Sequence, residues 1–140
     1  MSQPLDSAQR ATFLALADVL IPAAEGMPSA SDAGIGGTLD RILSLRPDLS
    51  ETFFRGLRAA AGTPAAAAAE ALNGADAEAL AVIGLIAAAA YYMSPEVRAR
   101  IGYPGQEKRE FDADATPEYV TNGMLQRVID RGSIYRPTPA

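Results

Sequence analysis

The sequence has 140 residues, a length that suits one globular domain, and 49% of them are apolar, which is too many for a disordered chain. It contains no cysteine and no histidine, which excludes disulfides, thiolate nucleophiles, iron–sulfur clusters, Ser-His-Asp triads and histidine-ligated zinc or haem. The net charge of −5 argues against nucleic acid as a partner, because phosphate backbones attract basic proteins.

The chain opens with a helix and a long loop. Asp6 or Ser7 is a suitable N-cap, and the apolar residues that follow recur at helical spacing. The segment 22–37 is rich in glycine and proline, so it is predicted to be a loop. We expect the second helix to begin near Ser31 or Asp32, where short polar side chains could cap it.

Three further helical segments precede the middle of the chain. Apolar residues within 39–43 give the second helix a narrow stripe that ends before Pro47. A third amphipathic helix is predicted to end at Gly62. The alanine-rich segment 64–72 is predicted to be a short helix capped by Asn73-Gly74, since alanine is the best helix former.

The segment 75–93 is predicted to be the buried central helix. From Ala79 to Met93, fifteen residues include no charged or hydrogen-bonding side chain except two tyrosines. As a helix they would span about 22 Å, short of the roughly 30 Å of a bilayer core, so direct membrane insertion is not expected. Small residues share one line of this helix: Ala77, Ala81, Gly84 and Ala88. We expect that line to pack closely inside the domain, with a docking surface for another chain as the alternative.

The last third of the chain alternates short helices with irregular segments. A helix is predicted over 94–101, followed by a tight turn at 102–105 and an exposed, charged loop at about 106–115. Thr116 opens another helix, and the tail 133–140 is predicted to be extended. The apolar residues of that last helix, expected to face inward, are Val120, Met124, Leu125, Val128 and Ile129.

These patterns predict an all-α fold, because no segment shows the alternation typical of strands. We expect a single domain over residues 1–140, built as a compact bundle of about five to seven helices around the central apolar helix at about 75–93.

A search for chemistry along the sequence finds no catalytic, cofactor-binding or metal-binding residues to predict. The acidic residues of 107–114 lack the glycine and the downstream glutamate of a calcium loop, so a solvated loop is expected. The glycines of 34–37 do not follow a strand and therefore form no dinucleotide-binding fingerprint.

Large amphipathic side chains cluster instead around two helix ends and in the tail, where they could anchor a partner. The predicted interface residues are Tyr91, Tyr92, Met93, Tyr103, Pro104, Ile134 and Tyr135. The alternative is that the tyrosines close the domain's own core.

Two stretches of the sequence resemble the gluconate 2-dehydrogenase subunit 3 family. They are LADVLIP at 16–22, with its Gly/Pro/Ser loop, and YYMSPEVRARIGYPGQ at 91–106. Members of that family are small, mostly helical gamma subunits of flavin-dependent sugar and alcohol dehydrogenases. The large subunit, of the glucose-methanol-choline oxidoreductase type, holds the FAD and carries out the hydride chemistry.

The resemblance implies a non-catalytic small subunit that stabilises or matures a FAD-dependent dehydrogenase or oxidase, with no cofactor in this chain and FAD in the partner. A cytochrome or another electron acceptor is a further partner that it allows. The alternatives are a stand-alone helical ligand-binding or adaptor module and a small enzyme using tyrosine and carboxylate chemistry. The first residues lack the basic start and apolar core of a signal peptide, so a cytoplasmic location is expected, or a periplasmic one by co-export with the partner.

Overall fold

The computed structural model describes residues 5–107 and 115–134. Regular structure in these ranges is helical apart from one isolated β-bridge, which confirms the predicted all-α class. The helices are α1 (Ser7–Leu20), α2 (Leu39–Leu45), α3 (Ser50–Ala60), α4 (Ala65–Ala75), α5 (Ala77–Met93), α6 (Pro95–Arg100), α7 (Glu118–Thr121) and α8 (Gln126–Arg131), with short 3₁₀ helices at Ile35–Thr38 and Pro47–Leu49.

The chain divides into two units, of which the first ends at Gly105 and the second begins at Gln106. The single domain expected over 1–140 stays a prediction. The expected loop at 106–115 and tail at 133–140 fall largely on residues 108–114 and 135–140, which lie outside the described ranges.

In the first unit, α1 begins with a capping box. The Asp6 carboxylate accepts a hydrogen bond from the Gln9 N–H at 2.7 Å, and the Gln9 side chain accepts one from the Asp6 N–H at 3.1 Å. This reciprocal pair satisfies two of the N–H groups that a helix start leaves free. Phe13 on the buried face of α1 then meets Phe53 of α3, with ring centroids 5.6 Å apart.

The predicted start of the second helix is wrong, because α2 begins at Leu39 rather than near Ser31 or Asp32. Ser31 is engaged elsewhere: its N–H and its hydroxyl both donate to Asp18 of α1. Gly34 then adopts a left-handed backbone with φ of +72°, which prevents a continuous helix across this segment.

The predicted cap at Asn73-Gly74 is also wrong, because α4 continues through both residues to Ala75. Asp76 closes α4 with its N–H, which donates to the Leu72 carbonyl at 2.8 Å. Its carboxylate then caps α5 by accepting a hydrogen bond from the Ala79 N–H at 3.1 Å. The same carboxylate accepts a hydrogen bond from the Arg55 side chain of α3 at 2.7 Å. The Arg55 guanidinium holds the pKa of the Asp76 carboxyl below its usual range.

Helix α5 is the centre of the first unit, as predicted, and packs against α1, α2, α3, α4 and α6. Its buried residues are Ala79, Ile83, Ile86, Ala87, Ala90 and Tyr91. Helix α3 approaches α5 closely at Gly56, where an added Cβ would lie 2.9 Å from Ile83 Cδ1 and 3.1 Å from Ala79 Cβ. A glycine on α3 therefore permits this approach.

The predicted line of small residues on α5 is not the packed face. Ala77 and Ala81 are exposed, and Gly84 and Ala88 are half-buried. Leu20 at the end of α1 touches this line, since its Cδ1 lies 3.7 Å from where a Cβ on Gly84 would be.

In the second unit, the single helix predicted from Thr116 is instead the two short helices α7 and α8. Gly123 separates them with a φ of +81°, a left-handed backbone that interrupts the helical hydrogen bonds. The residues predicted to face inward are exposed, apart from the half-buried Leu125.

Candidate partner interface

The two stretches that carry the resemblance meet at the loop 22–31. Asp18, in the first stretch, accepts hydrogen bonds from the Ser31 N–H at 2.7 Å and from the Ser31 hydroxyl at 2.6 Å. Partial burial raises the pKa of Asp18, but the hydrogen bonds from Ser31 and Ser29 outweigh it and leave that pKa below its usual value. The carboxylate therefore stays charged and closes one end of the loop.

The second stretch holds the other end of the same loop. The Tyr91 hydroxyl donates to the Pro28 carbonyl at 2.8 Å, and the Arg100 guanidinium donates to the Gly26 carbonyl. Arg100 is held in place by Glu96, one helical turn earlier, at 2.8 Å. Asp18, Tyr91 and Arg100 thus have structural roles, since each fixes the loop to the helices.

The Tyr91 hydroxyl is engaged in a structural hydrogen bond. Only 5% of its surface is exposed, and this burial raises the pKa of its hydroxyl above the ordinary value near 10. The hydroxyl is therefore protonated at neutral pH, and its proton is already donated to Pro28. Tyr91 belongs to the core cluster, so for this residue the alternative interpretation of core closure describes the geometry.

The neighbouring aromatic residues have the opposite environment. Tyr92 is 59% exposed and Tyr103 is 53% exposed, and Ile101 beside them in sequence is 49% exposed. Met93 is half-buried against the core, and Pro104 is exposed. Tyr92, Ile101 and Tyr103 therefore face solvent. They lie on the segment 91–105, which hydrogen bonds from Tyr91 and Arg100 attach to the loop 22–31.

The other two predicted interface residues belong to the second unit. Ile134 is exposed, and Tyr135 lies outside the described residues.

The backbone that carries Tyr103 is tightly folded. The Tyr103 N–H donates to the Arg98 carbonyl at 2.9 Å, which closes the end of α6. Gly102 and Gly105 flank the turn with φ of +67° and +91°, values that a side chain would strain. The Arg98 guanidinium carbon lies 6.0 Å from the centroid of the Tyr103 ring, at the outer limit of a cation–π contact. The ring is thus held outward by a short, fixed turn.

Helix α5 carries a second exposed apolar surface, which shares only Ala81 with the predicted line of small residues. We call it the α5 outer face, and its residues are Ala81, Leu85, Ala89 and Tyr92. These positions follow helical spacing, and Leu85 is 50% exposed. The sequence-based alternative of a docking surface named the line 77–88 and did not include Leu85 or Ala89, because a helix without polar residues from Ala79 to Met93 does not show which side is exposed.

Three further features bear on what the described residues could bind: metal ligands, membrane-spanning helices and surface recesses. Within residues 5–107 and 115–134, no three or more Asp and Glu side chains group closely enough to hold a metal ion. In the same ranges, no helix has both the length and the apolar character needed to cross a bilayer. A recess between α1 and the α3–α4 turn has about 160 Å³, and a shallower, more open one lined by loop residues 23–28 and Arg100 has about 430 Å³, within the roughly 300–1,000 Å³ of small-molecule sites.

Comparison of the chain with protein-family models, with curated proteins and with solved structures gives no match in any of the three.

Proposed function

We propose that this chain is the non-catalytic small subunit of a complex whose large subunit is a FAD-dependent dehydrogenase or oxidase of the glucose-methanol-choline type. In this proposal it stabilises or matures that subunit, which acts on a sugar or a related alcohol. The observation that carries the proposal is the outward display of Tyr92, Ile101 and Tyr103 on the anchored segment 91–105. The resemblance of this same segment to the gluconate 2-dehydrogenase subunit 3 family supports the choice of partner.

The energetics favour a binding role for this segment. Aromatic side chains dominate protein interfaces, because each buries a large area and loses few rotamers on binding. Hydrogen bonds from Tyr91 and Arg100 already fix the surrounding backbone, so association would cost little additional ordering. A preformed aromatic surface of this kind suits a permanent subunit contact.

The division of chemistry follows from the same proposal. FAD would be bound by the large subunit, which carries out the hydride transfer, and a cytochrome could accept the electrons. The small chain would act where its partner does, in the cytoplasm or, by co-export with the partner, in the periplasm.

Co-expression with a flavoprotein encoded by an adjacent gene tests the proposal. We expect the two chains to co-purify, and we expect the flavoprotein alone to have lower FAD occupancy and a lower melting temperature. The isolated small chain should be colourless and should not reduce a dye with sugars. Stoichiometric FAD in the isolated chain, or turnover by it, would contradict the proposal. A stable monomer that does not bind the flavoprotein would favour the alternative of a stand-alone ligand-binding or adaptor module.

A further inference from the structure

Both asparagines of the chain precede a glycine, and the structure places the two Asn-Gly pairs in opposite settings. Asn73-Gly74 lies inside α4, which packs against α1, α3 and α5. Asn122-Gly123 lies in the exposed turn between α7 and α8. Asparagine is a chemically labile residue, and a glycine after it leaves the next peptide nitrogen unshielded by a side chain. The two pairs share this intrinsic reactivity, so the surrounding structure decides whether each of them reacts.

The peptide nitrogen of Gly123 is positioned to react. Among the described residues, its N–H donates to no backbone carbonyl. The Asn122 Oδ1 accepts a hydrogen bond from the Met124 N–H at 3.0 Å, which holds the side-chain amide beside the Gly123 peptide. In α4 the corresponding nitrogen of Gly74 is engaged, because the N–H groups inside a helix donate to the carbonyl four residues earlier.

Little structure resists the movement that a reaction at Asn122 needs. A bond between the Gly123 nitrogen and the Asn122 Cγ requires the Asn122 backbone to rotate away from its ψ of 5°. Helix α7 has four residues and α8 has six, and neither contains a buried residue. Helices this short are marginal without tertiary packing, so the turn opens at little cost. Helix α4 instead buries Ala68, Ala69 and Leu72, so its opening disrupts core packing.

We propose that Asn122 is a site of spontaneous deamidation, an inference that goes beyond the proposed function and does not depend on it. The Gly123 nitrogen attacks the Asn122 Cγ, and the new N–Cγ bond closes a five-membered succinimide ring. The side-chain nitrogen leaves as ammonia and takes the proton that Gly123 loses. Water then adds to one of the two ring carbonyls and opens the ring, which leaves aspartate or isoaspartate. No atom is oxidised or reduced, so water is the only co-reactant.

Either product changes the turn between α7 and α8. Each adds one carboxylate to a chain whose net charge is already −5. The isoaspartate product also inserts the former side-chain methylene into the main chain, so the hydrogen bond between Asn122 and the Met124 N–H cannot keep its present geometry. Deamidation therefore alters the connection between the two short helices.

The two Asn-Gly pairs provide an internal comparison for the test. Trypsin cleaves after arginine and separates them onto peptides 59–98 and 110–127. The full chain is incubated in mildly alkaline buffer, either folded or in urea, and mass spectrometry follows the conversion of amide to acid at each asparagine. In the folded chain we expect Asn122 to react at least about tenfold faster than Asn73, which corresponds to a difference of about 1.4 kcal/mol in the cost of opening. In urea the two rates should converge, because both pairs have lost their surrounding structure.

Asn122→Ser is the matched control, since the serine hydroxyl can still accept from the Met124 N–H but carries no amide. Its peptide 110–127 should gain no acid; a gain there would assign the reaction to Gln126 and overturn the proposal. A rate at Asn122 no faster than that at Asn73 in the folded chain would also overturn it. An Asn122 that stays intact in the folded chain would do the same, whether or not it reacts in urea. None of these outcomes involves a flavoprotein, so the proposed function is tested separately.

Discussion

Replacing Gly56 by alanine probes the close contact between α3 and α5. The added Cβ would lie 2.9 Å from Ile83 Cδ1 and 3.1 Å from Ala79 Cβ, both shorter than ordinary van der Waals contact. Ile83 and Ala79 are fully buried, and the Ala79 Cβ moves only with its backbone. Overpacking of this kind costs about 1–3 kcal/mol, whereas alanine gains about 1 kcal/mol over glycine in helix propensity. We expect a net loss of roughly 0–2 kcal/mol in the free energy of unfolding.

Gly74 in α4 provides the matched control, because a Cβ added there has no heavy atom within 4 Å. Gly74→Ala should therefore stabilise the chain by up to about 1 kcal/mol. Urea unfolding followed by circular dichroism measures both variants. Adding Ile83→Val to Gly56→Ala removes the clashing Cδ1, so the two changes together should cost less than the sum of their separate effects. If Gly56→Ala is as stabilising as Gly74→Ala, the close approach of α3 and α5 is wrong.

Three further predictions concern the interface segment and its support. Tyr91→Phe should lower the free energy of unfolding by about 1–2 kcal/mol in urea titrations, because the Pro28 carbonyl loses its donor, while Tyr92→Phe should not. Tyr92→Ala and Tyr103→Ala should each weaken association with the FAD-binding subunit yet alter the stability of the lone chain by no more than about 0.5 kcal/mol; loss of the cooperative melt would place these rings in the core. Because the pKa of Asp18 is lower in the folded chain than its unfolded value near 3.9, its contribution to stability is complete above about pH 4 and is lost as the pH falls through the folded pKa. Unfolding titrations across that range should show a smaller decline for Asp18→Asn, and an equal decline would refute this role.

Local patterns in the sequence predict the helices whose signals lie within a few residues. The capping box needs only Asp6 and Gln9, and the helical periodicity of α3 agrees with the burial of Phe53 and Leu57 on one of its faces. These elements depend on backbone geometry and apolar spacing, both of which are readable from the sequence.

The errors arise where a distant side chain decides the local structure. Ser31 has the character of an N-cap but bonds to Asp18, which is 13 residues away, so no helix begins there. Asn73-Gly74 is a typical helix end, yet Asp76 ends α4 with its own N–H and caps α5, and Arg55 holds its carboxylate. Asp18 lies 13 residues from Ser31, and Arg55 lies 21 residues from Asp76, so neither hydrogen bond is visible in a short sequence window.

Which residues of the candidate interface are exposed could not be predicted from the sequence residue by residue. Tyr91 and Tyr92 are adjacent and chemically identical, and only the packing of α5 decides which of them is buried. In an amphipathic helix, polar residues on the exposed side show which side is buried. From Ala79 to Met93, α5 has no polar side chain other than its two tyrosines. The rotation of α5 about its axis therefore depends on its neighbours, including Gly56 of α3.

The hydrogen bond of Tyr91 fixes the rotation of α5 about its axis. Successive residues of an α-helix are separated by about 100° around its axis. Once the Tyr91 hydroxyl is bonded to the Pro28 carbonyl, Tyr92 must point about 100° away, on the side where Leu85 is also exposed. The same anchor holds the loop 22–31, which Asp18 fastens from α1. A residue buried in the core thus determines which side chains of α5 face solvent, which explains why a buried and an exposed tyrosine stand side by side in this segment.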